Sequence, residues 1–259
     1  MLRVISLFAC VFVCVASVEA GVQTKKVTYK HGELECLGYL AWDDSTQGQR
    51  PGVLVVHEWW GLNDYARARA EQLAKLGYVA FAADMYGEGK TTEHPQEAGE
   101  MAGKVRTNVQ DWRKRAAAAL EVLKSQPQCD KTKLAAIGYC GGSTVLQLAF
   151  SGADLKAVVS FHGALPTPKA AEVKQIKAMM LVCNGADDSF IPEAAIMAFR
   201  EALDQGGAKY DFVAYRGAKH SFTVPDADKH GNPGMKYDKA ADEDSWKKML
   251  ALFAEKFEK

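Results

Sequence analysis

The sequence predicts an α/β fold in which a mostly parallel β-sheet is covered by helices on both faces. GVLVVH (residues 52–57) is a short continuous apolar run, which is typical of a strand buried on both faces. Such runs alternate with segments of helical spacing, and this alternation favours parallel pairing through crossover connections. The sequence contains neither internal repeats nor a low-complexity linker. We therefore expect a single domain over residues 21–259.

The predicted elements follow one another along the chain. An antiparallel hairpin is expected first, from VTYK and LECLGYLAW, and strand GVLVVH follows it. Gly77 marks the end of the first helix. Strand YVAFAAD comes next, and two helices are expected between Pro95 and Lys124. The rest of the chain reads as strand KLAAIGY, helix STVLQLAF, strands LKAVVSF and KAMMLVCNG, helix PEAAIMAFREALDQ, strand KYDFVAY and helix DEDSWKKMLALFAEKF.

The first 20 residues have the pattern of a secretory signal peptide. Arg3 precedes an apolar run, and Val18-Glu19-Ala20 forms a small-residue cleavage site. The apolar run is shorter than the roughly 20 residues that a membrane-spanning helix needs. We therefore expect export of residues 21–259 to the periplasm or the medium, without a membrane span after cleavage. Attachment of a lipid at Cys10 or Cys14 stays open.

Charge and cysteine content narrow the classes of partner. The chain has 32 Lys and Arg against 32 Asp and Glu, so its net charge is zero. A neutral chain has no general attraction for nucleic acid or for an anionic membrane. The sequence has no C-x-x-C pair of the kind that indicates a metal site. A disulfide between Cys36 and Cys129 stays open, as does the oligomeric state.

A cysteine occupies the position at which many hydrolases carry a serine. GYCGG (residues 138–142) follows strand KLAAIGY and precedes a helix. In α/β-hydrolases the G-x-S-x-G turn presents a serine nucleophile on such a sharp bend. A helix N-terminus also stabilises a thiolate. Cys140 is therefore the candidate nucleophile, and a small core residue is the alternative.

An acid and a histidine follow two later strands. Asp187-Asp188 comes after KAMMLVCNG, and His220 comes after KYDFVAY. The order nucleophile, acid, histidine is that of α/β-hydrolases. A thiol needs a base to remove its proton, and an acid to hold the ring of that base. The alternatives are an aspartate that caps a helix and a histidine without a catalytic role.

The segment HEWWG, at the end of strand GVLVVH, supplies further candidates. In this fold the loop after that strand contributes an amide to the oxyanion hole, so the backbone N–H groups of Trp59 and Gly141 are the expected pair. Glu58 is costly to bury beside two aromatic residues without a partner. It either influences the ionisation of the cysteine or is an ordinary capping residue.

Several aromatic residues are candidates for substrate binding. Trp60, Tyr86 and Phe161 are predicted to line an apolar pocket. Core packing is the alternative for each of them. His162 ends strand LKAVVSF, where it either faces the site or has a structural role.

The sequence closely resembles the dienelactone hydrolase family, through HEWWG, DMYGEG, GYCGG, GADDSFIP and AKHSF in this order. The resemblance covers nearly all of residues 21–259. It implies a Cys140–His220–Asp188 triad, because G-x-x-D-x-x-[IV]-P matches the family spacing at Asp188 rather than at Asp187. It also implies hydrolysis of enol lactones or activated carboxylic esters through a thioester, without a metal or organic cofactor. Glu58 is implied to contact the cysteine.

The sequence departs from that family at two positions. Dienelactone hydrolases of chloroaromatic degradation hold the substrate carboxylate with arginines, one after the tyrosine of the DMYGEG segment and one after the catalytic histidine. Gly87 and the residues after His220 provide no such arginine, although Arg106 and Arg216 are available elsewhere. Two alternatives therefore stay open: an exported carboxylesterase or acyltransferase with an unrelated substrate, and a non-catalytic binding protein on the same fold.

Overall fold

The computed structural model describes residues 21–258 as one eight-stranded sheet with helices on both faces. The strands are β1 (Val22–His31), β2 (Leu34–Asp43), β3 (Arg50–Val56), β4 (Val79–Ala83), β5 (Cys129–Tyr139), β6 (Ala157–Phe161), β7 (Met179–Gly185) and β8 (Tyr210–Tyr215). The helices are α1 (Asp64–Lys75), α2 (Pro95–Arg106), α3 (Val109–Lys124), α4 (Gly142–Phe150), α5 (Ala170–Val173), α6 (Glu193–Gly206) and α7 (Lys239–Glu258). A short 3-10 helix covers Ala227–His230.

The sheet has the strand order β1-β2-β4-β3-β5-β6-β7-β8. Strands β1 and β2 form the predicted antiparallel hairpin, and β2 joins β4 in antiparallel fashion. All pairings from β4 through β3 to β8 are parallel. The prediction of a mostly parallel α/β-hydrolase sheet with helices on both faces is therefore confirmed.

Alternate residues of the central strands pack into two separate apolar layers. In β5, Leu134 and Ala136 face the layer that contains α3 and α4, whereas Ala135 and Ile137 face the layer that contains α1 and α7. This two-sided burial explains why the central strands are continuous apolar runs in the sequence. Because β3, β5, β6 and β7 are parallel, their carboxyl ends lie at one edge of the sheet, where the candidate site lies.

The structure adds one helix and leaves one prediction untested. Helix α5 has only four residues, which is too short to produce a periodic apolar pattern. The predicted signal peptide, residues 1–20, lies outside the described residues. From residue 21 to residue 258, none of the helices is long and apolar enough to cross a membrane.

The cysteines of residues 21–258 are free thiols. Cys36 lies in β2 and Cys129 lies in β5, and β4 and β3 separate these strands in the sheet. Neighbouring strands are about 4.8 Å apart, whereas the Cα atoms of a disulfide are rarely more than about 7 Å apart. The fold therefore holds these two cysteines too far apart to pair.

Candidate active site

Cys140 occupies a strained bend between β5 and α4. Its φ of 49° lies in the left-handed region, which a residue with a side chain seldom adopts. The bend depends on close approach of the backbone at the glycines after Cys140. A side chain at Gly141 would collide with the carbonyl oxygen of His57, and one at Gly142 would collide with Ser160. The glycines of GYCGG thus allow the bend to lie directly against β3 and β6.

Asp188 and His220 form a buried pair beside this bend. Nδ1 of His220 lies 2.8 Å from Oδ2 of Asp188, and the other carboxylate oxygen accepts a hydrogen bond of 2.9 Å from the Phe190 backbone. Asp187 is exposed. Because Asp188 accepts from Nδ1, the second ring nitrogen is left to act on Cys140, whose charge raises the pKa of His220. His220 therefore links Asp188 electrostatically with Cys140.

The protonation of His220 depends on its burial and on its two neighbours, Asp188 and Cys140. Burial alone would lower the pKa of His220. The charge of Cys140 and the hydrogen bond with Asp188 outweigh burial, and they raise the pKa of His220 to about 10. The ring therefore accepts a proton readily, as the base of a nucleophile must.

Glu58 is buried in the same cleft. Its Oε1 accepts a hydrogen bond of 2.6 Å from the Ser221 hydroxyl, and its Oε2 is buried without a hydrogen-bond partner among residues 21–258. Burial raises the pKa of Glu58, although the Ser221 hydrogen bond and the charge of His220 oppose this. The described residues show no hydrogen bond between Glu58 and Cys140. Sequence reasoning missed Ser221, although it directly follows His220 in the AKHSF motif.

His162 lies behind Cys140 at the end of β6, and its φ of 42° is also left-handed. Its Nδ1 accepts a hydrogen bond of 3.0 Å from the Cys140 backbone N–H. The proton of the neutral ring must then be on Nε2, which donates to Thr223 Oγ1 over 2.8 Å. Burial, together with the charges of His220 and Arg69, lowers the pKa of His162 well below its usual value. The ring is therefore held neutral, in one tautomer.

The two candidate oxyanion amides line the cleft that contains Cys140. The Trp59 N–H has no acceptor within residues 21–258. The Gly141 N–H contacts the carbonyl oxygen of Tyr139. The Trp59 carbonyl accepts a hydrogen bond of 2.9 Å from the Tyr86 hydroxyl, which ties the loop after β3 to the loop after β4.

Asp84 organises the loop that carries Tyr86. Its two carboxylate oxygens accept hydrogen bonds of 2.8–3.0 Å from four backbone N–H groups, those of Leu37, Tyr86, Gly87 and Gly89. Asp84 is fully buried, and these four donors replace the water that it loses. The aspartate of the DMYGEG motif thus has a structural role, and the tyrosine two residues later faces the cleft.

Only one of the three residues predicted to line a substrate pocket does so. Tyr86 lines the cleft, whereas Trp60 and Phe161 lie in the core. Trp60 stacks on His230, with 4.2 Å between ring centroids. Phe161 stacks on Tyr139 within the layer of α1 and α7. The structure therefore places Trp60 and Phe161 in the core packing that was the alternative for each of them. Of the two arginines considered, Arg106 lines the cleft.

Comparison with known proteins agrees with this fold. The model of the family described as "Dienelactone hydrolase family" matches residues 37–257. A relative from Synechocystis sp., named "Putative carboxymethylenebutenolidase", is 30% identical over 247 residues, which cover 90% of this chain and 96% of the relative.

Solved structures show the same likeness. The crystal structure of a dienelactone hydrolase-like promiscuous phosphotriesterase from metagenomic libraries is 39% identical, with a TM-score of 0.88, over 91% of this chain and 99% of that protein. A dienelactone hydrolase from Anabaena variabilis shares the fold at 22% identity and a TM-score of 0.63, over 87% of this chain and 96% of that one. The chain therefore belongs to the dienelactone hydrolase family and is a hydrolase related to the carboxymethylenebutenolidases.

Proposed function

We propose that this protein hydrolyses enol lactones or activated carboxylic esters, with Cys140 as the nucleophile. The observation that carries the proposal is the buried Asp188–His220 pair, which lies near enough to Cys140 for the charge of the cysteine to raise the pKa of His220. A binding protein would have no need of a strained cysteine aligned with a base and its acid. Small molecules that carry an ester or lactone carbonyl are the substrate class.

The reaction proceeds in two halves. His220 takes the proton of the Cys140 thiol, and the thiolate attacks the carbonyl carbon. The Trp59 N–H donates a hydrogen bond to the oxyanion. The Gly141 N–H leaves the Tyr139 carbonyl oxygen and donates to the oxyanion as well. The carbon–oxygen bond of the ester breaks, His220 gives its proton to the leaving oxygen, and a thioester remains. His220 then activates a water molecule, which cleaves the thioester and restores the thiol.

The nucleophile restricts the choice of ester. A thiolate is a better leaving group than an alkoxide, so the tetrahedral intermediate from an alkyl ester returns to the starting ester. An enolate or phenolate departs more readily than an alkoxide. The chemistry of Cys140 therefore favours enol lactones and aryl esters.

Glu58 has a supporting catalytic role in this proposal. It lies in the cleft with one unpaired, buried oxygen, and burial raises its pKa. A carboxyl group that is readily protonated beside the nucleophile can exchange a proton with Cys140 before the substrate binds. Ser221 holds the other oxygen and so fixes the orientation of the group.

The test uses a protein of residues 21–259, with p-nitrophenyl acetate and an enol lactone as substrates. We expect hydrolysis of both, and loss of both activities when iodoacetamide alkylates Cys140. The Cys140→Ala variant should lose at least about 1,000-fold in kcat with an unchanged circular dichroism spectrum. Cys183→Ala, in β7, is the matched control and should remain active. Full activity of Cys140→Ala would refute the assignment.

A second candidate is the hydrolysis of aryl phosphotriesters. It is favoured by the 39% identity with a protein described as a promiscuous phosphotriesterase. The same thiolate and amides would act on a phosphoryl centre, with the aryloxide as the leaving group. Release of 4-nitrophenol from diethyl 4-nitrophenyl phosphate tests this candidate, with Cys140→Ala as the control.

A further inference from the structure

A groove opens beside the cleft that contains Cys140. The cleft at Cys140 encloses only about 20 Å³, whereas the groove encloses about 290 Å³. Arg106, Trp112 and Ser143 line both, so the two spaces adjoin each other. We call the larger space the side groove; its apolar wall includes Val109, Trp112, Leu165, Phe190, Ile191 and Ala195.

The side groove contains apolar side chains that are exposed to water. Val109 and Phe190 are 38% and 47% exposed. Among residues 21–258 they are two of the four large apolar side chains that are exposed, and the other two are Leu76 and Met197. Exposed apolar residues gathered in a concave surface beside reactive groups mark a ligand site. Because the groove adjoins the Cys140 cleft, a group that binds in it belongs to the substrate that reacts at Cys140.

The position of Phe190 shows which part of the substrate the groove faces. The rings of Phe190 and His220 lie 4.9 Å apart between centroids, so the groove begins beside His220. In the mechanism proposed above, His220 gives its proton to the leaving oxygen. The space at Cys140 itself is the smaller cleft lined by Trp59 and Tyr86, which is left for the acyl group.

We propose that the side groove binds the apolar alcohol, phenol or enol portion of the ester. This inference rests on the proposed function and narrows it: the preferred substrates combine a short acyl group with a bulky, ring-bearing leaving group. Burial of one additional aromatic ring should raise kcat/KM on the order of 10- to 50-fold.

The proposed role of the side groove applies to acylation and not to deacylation. In acylation, the sulfur–carbon bond forms, the carbon–oxygen bond to the aryl group breaks, and the phenol leaves with the proton from His220. Every acetate then produces the same acetyl thioester, whose hydrolysis no longer involves the groove. The preference is therefore expected in kcat/KM and not in the rate of deacylation.

The test compares phenyl acetate with 4-biphenylyl acetate, whose phenols have similar acidity. We expect a higher kcat/KM for the biphenylyl ester. Val109→Asp places a carboxylate in the groove at the first residue of α3, where the helix dipole tolerates it. This variant should lower the ratio of the two kcat/KM values about 10-fold. Met197→Asp changes an apolar side chain that is 63% exposed on α6 and does not line the groove, and it should keep the wild-type ratio.

Each other outcome overturns the proposal. Equal kcat/KM values for the two esters, with hydrolysis still dependent on Cys140, would refute the groove while leaving the proposed function intact. Hydrolysis of neither ester would remove the proposed function and the groove assignment together. Sedimentation of the wild type and of Val109→Asp detects a second copy in the groove, since a dimer that Val109→Asp dissociates would show that the groove is an interface instead.

Discussion

The Nδ1 atom of His162 accepts a hydrogen bond from the backbone N–H of Cys140, over 3.0 Å. Both residues have a left-handed backbone conformation, so two strained strand ends support each other. The acceptor is fixed because Thr223 holds the opposite nitrogen of the ring. The hydroxyl of Thr223 lies 2.6 Å from that of Tyr65, so the hydrogen-bonded contacts extend from Cys140 to Tyr65.

Substitutions of His162 should separate the acceptor from the ring itself. His162→Asn keeps an oxygen near the position of Nδ1, whereas His162→Leu removes that acceptor and leaves the Cys140 N–H only the Phe161 carbonyl oxygen, at 3.0 Å. We expect His162→Leu to lower kcat about 10- to 100-fold, from the loss of a buried hydrogen bond, with little change in KM. His162→Asn should recover most of that loss. Steady-state kinetics with p-nitrophenyl acetate provides the measurement, and equal kcat values for the two variants would contradict the positioning role.

The adjacent acids Asp187 and Asp188 provide a matched pair of variants. Asp188→Asn removes the charge that holds Nδ1 of His220 and helps to raise the pKa of that ring. We expect kcat to fall about 100- to 10,000-fold at pH 7. Asp187 is exposed, and Asp187→Asn should stay near the wild type. Similar losses in both variants would indicate that the aspartates act only on the local loop.

Replacement of Glu58 should change how stability depends on pH. Burial raises the pKa of Glu58 above its unfolded value, so the native state holds a proton that the unfolded state has already lost. Stability from this group is then present at low pH and is lost as the pH rises through the folded pKa. Relative to the wild type, Glu58→Gln should therefore gain free energy of unfolding between pH 4.5 and pH 8.

Urea unfolding at both pH values measures that difference, and the exposed Glu33→Gln provides the control. A difference between Glu58→Gln and the wild type that does not change with pH would contradict the expected titration.

Asp84 should be essential for stability. Asp84→Asn turns an amide N–H₂ toward backbone N–H groups that need acceptors. We expect a loss of about 2–4 kcal/mol in the free energy of unfolding, measured by urea denaturation. The exposed Asp64→Asn, at the start of α1, should change little. A small effect of Asp84→Asn would mean that the loop finds other acceptors.

The positions of site residues were most predictable from the sequence where a reactive side chain follows a strand. Cys140, Asp188 and His220 each follow an apolar strand, so a local pattern was enough to bring them to one edge of the sheet. The orientation of Phe161 was not predictable in this way, because all five residues of β6 are buried. Without alternation of polar and apolar residues, the sequence does not reveal which face of the sheet a side chain contacts.

Contacts between residues that are far apart along the chain were also not predictable from the sequence. His162 contacts Cys140 only because β6 lies next to β5, and its tautomer depends on Thr223, 61 residues further along the chain. The side groove combines residues from α3, α6 and the segment after β6. Such sites depend on packing between elements, which periodicity does not specify.

The burial of the other cysteines leaves Cys140 as the practical labelling site within residues 21–258. Burial raises the pKa values of Cys36 and Cys129 to about 11 and that of Cys183 to about 12, so all three are protonated and inaccessible at neutral pH, whereas Cys140 is partly exposed. A tagged maleimide added to the native protein should therefore react in a ratio of about one to one. The fraction labelled would count the molecules with an open cleft, which provides an internal standard for every rate constant measured on a preparation.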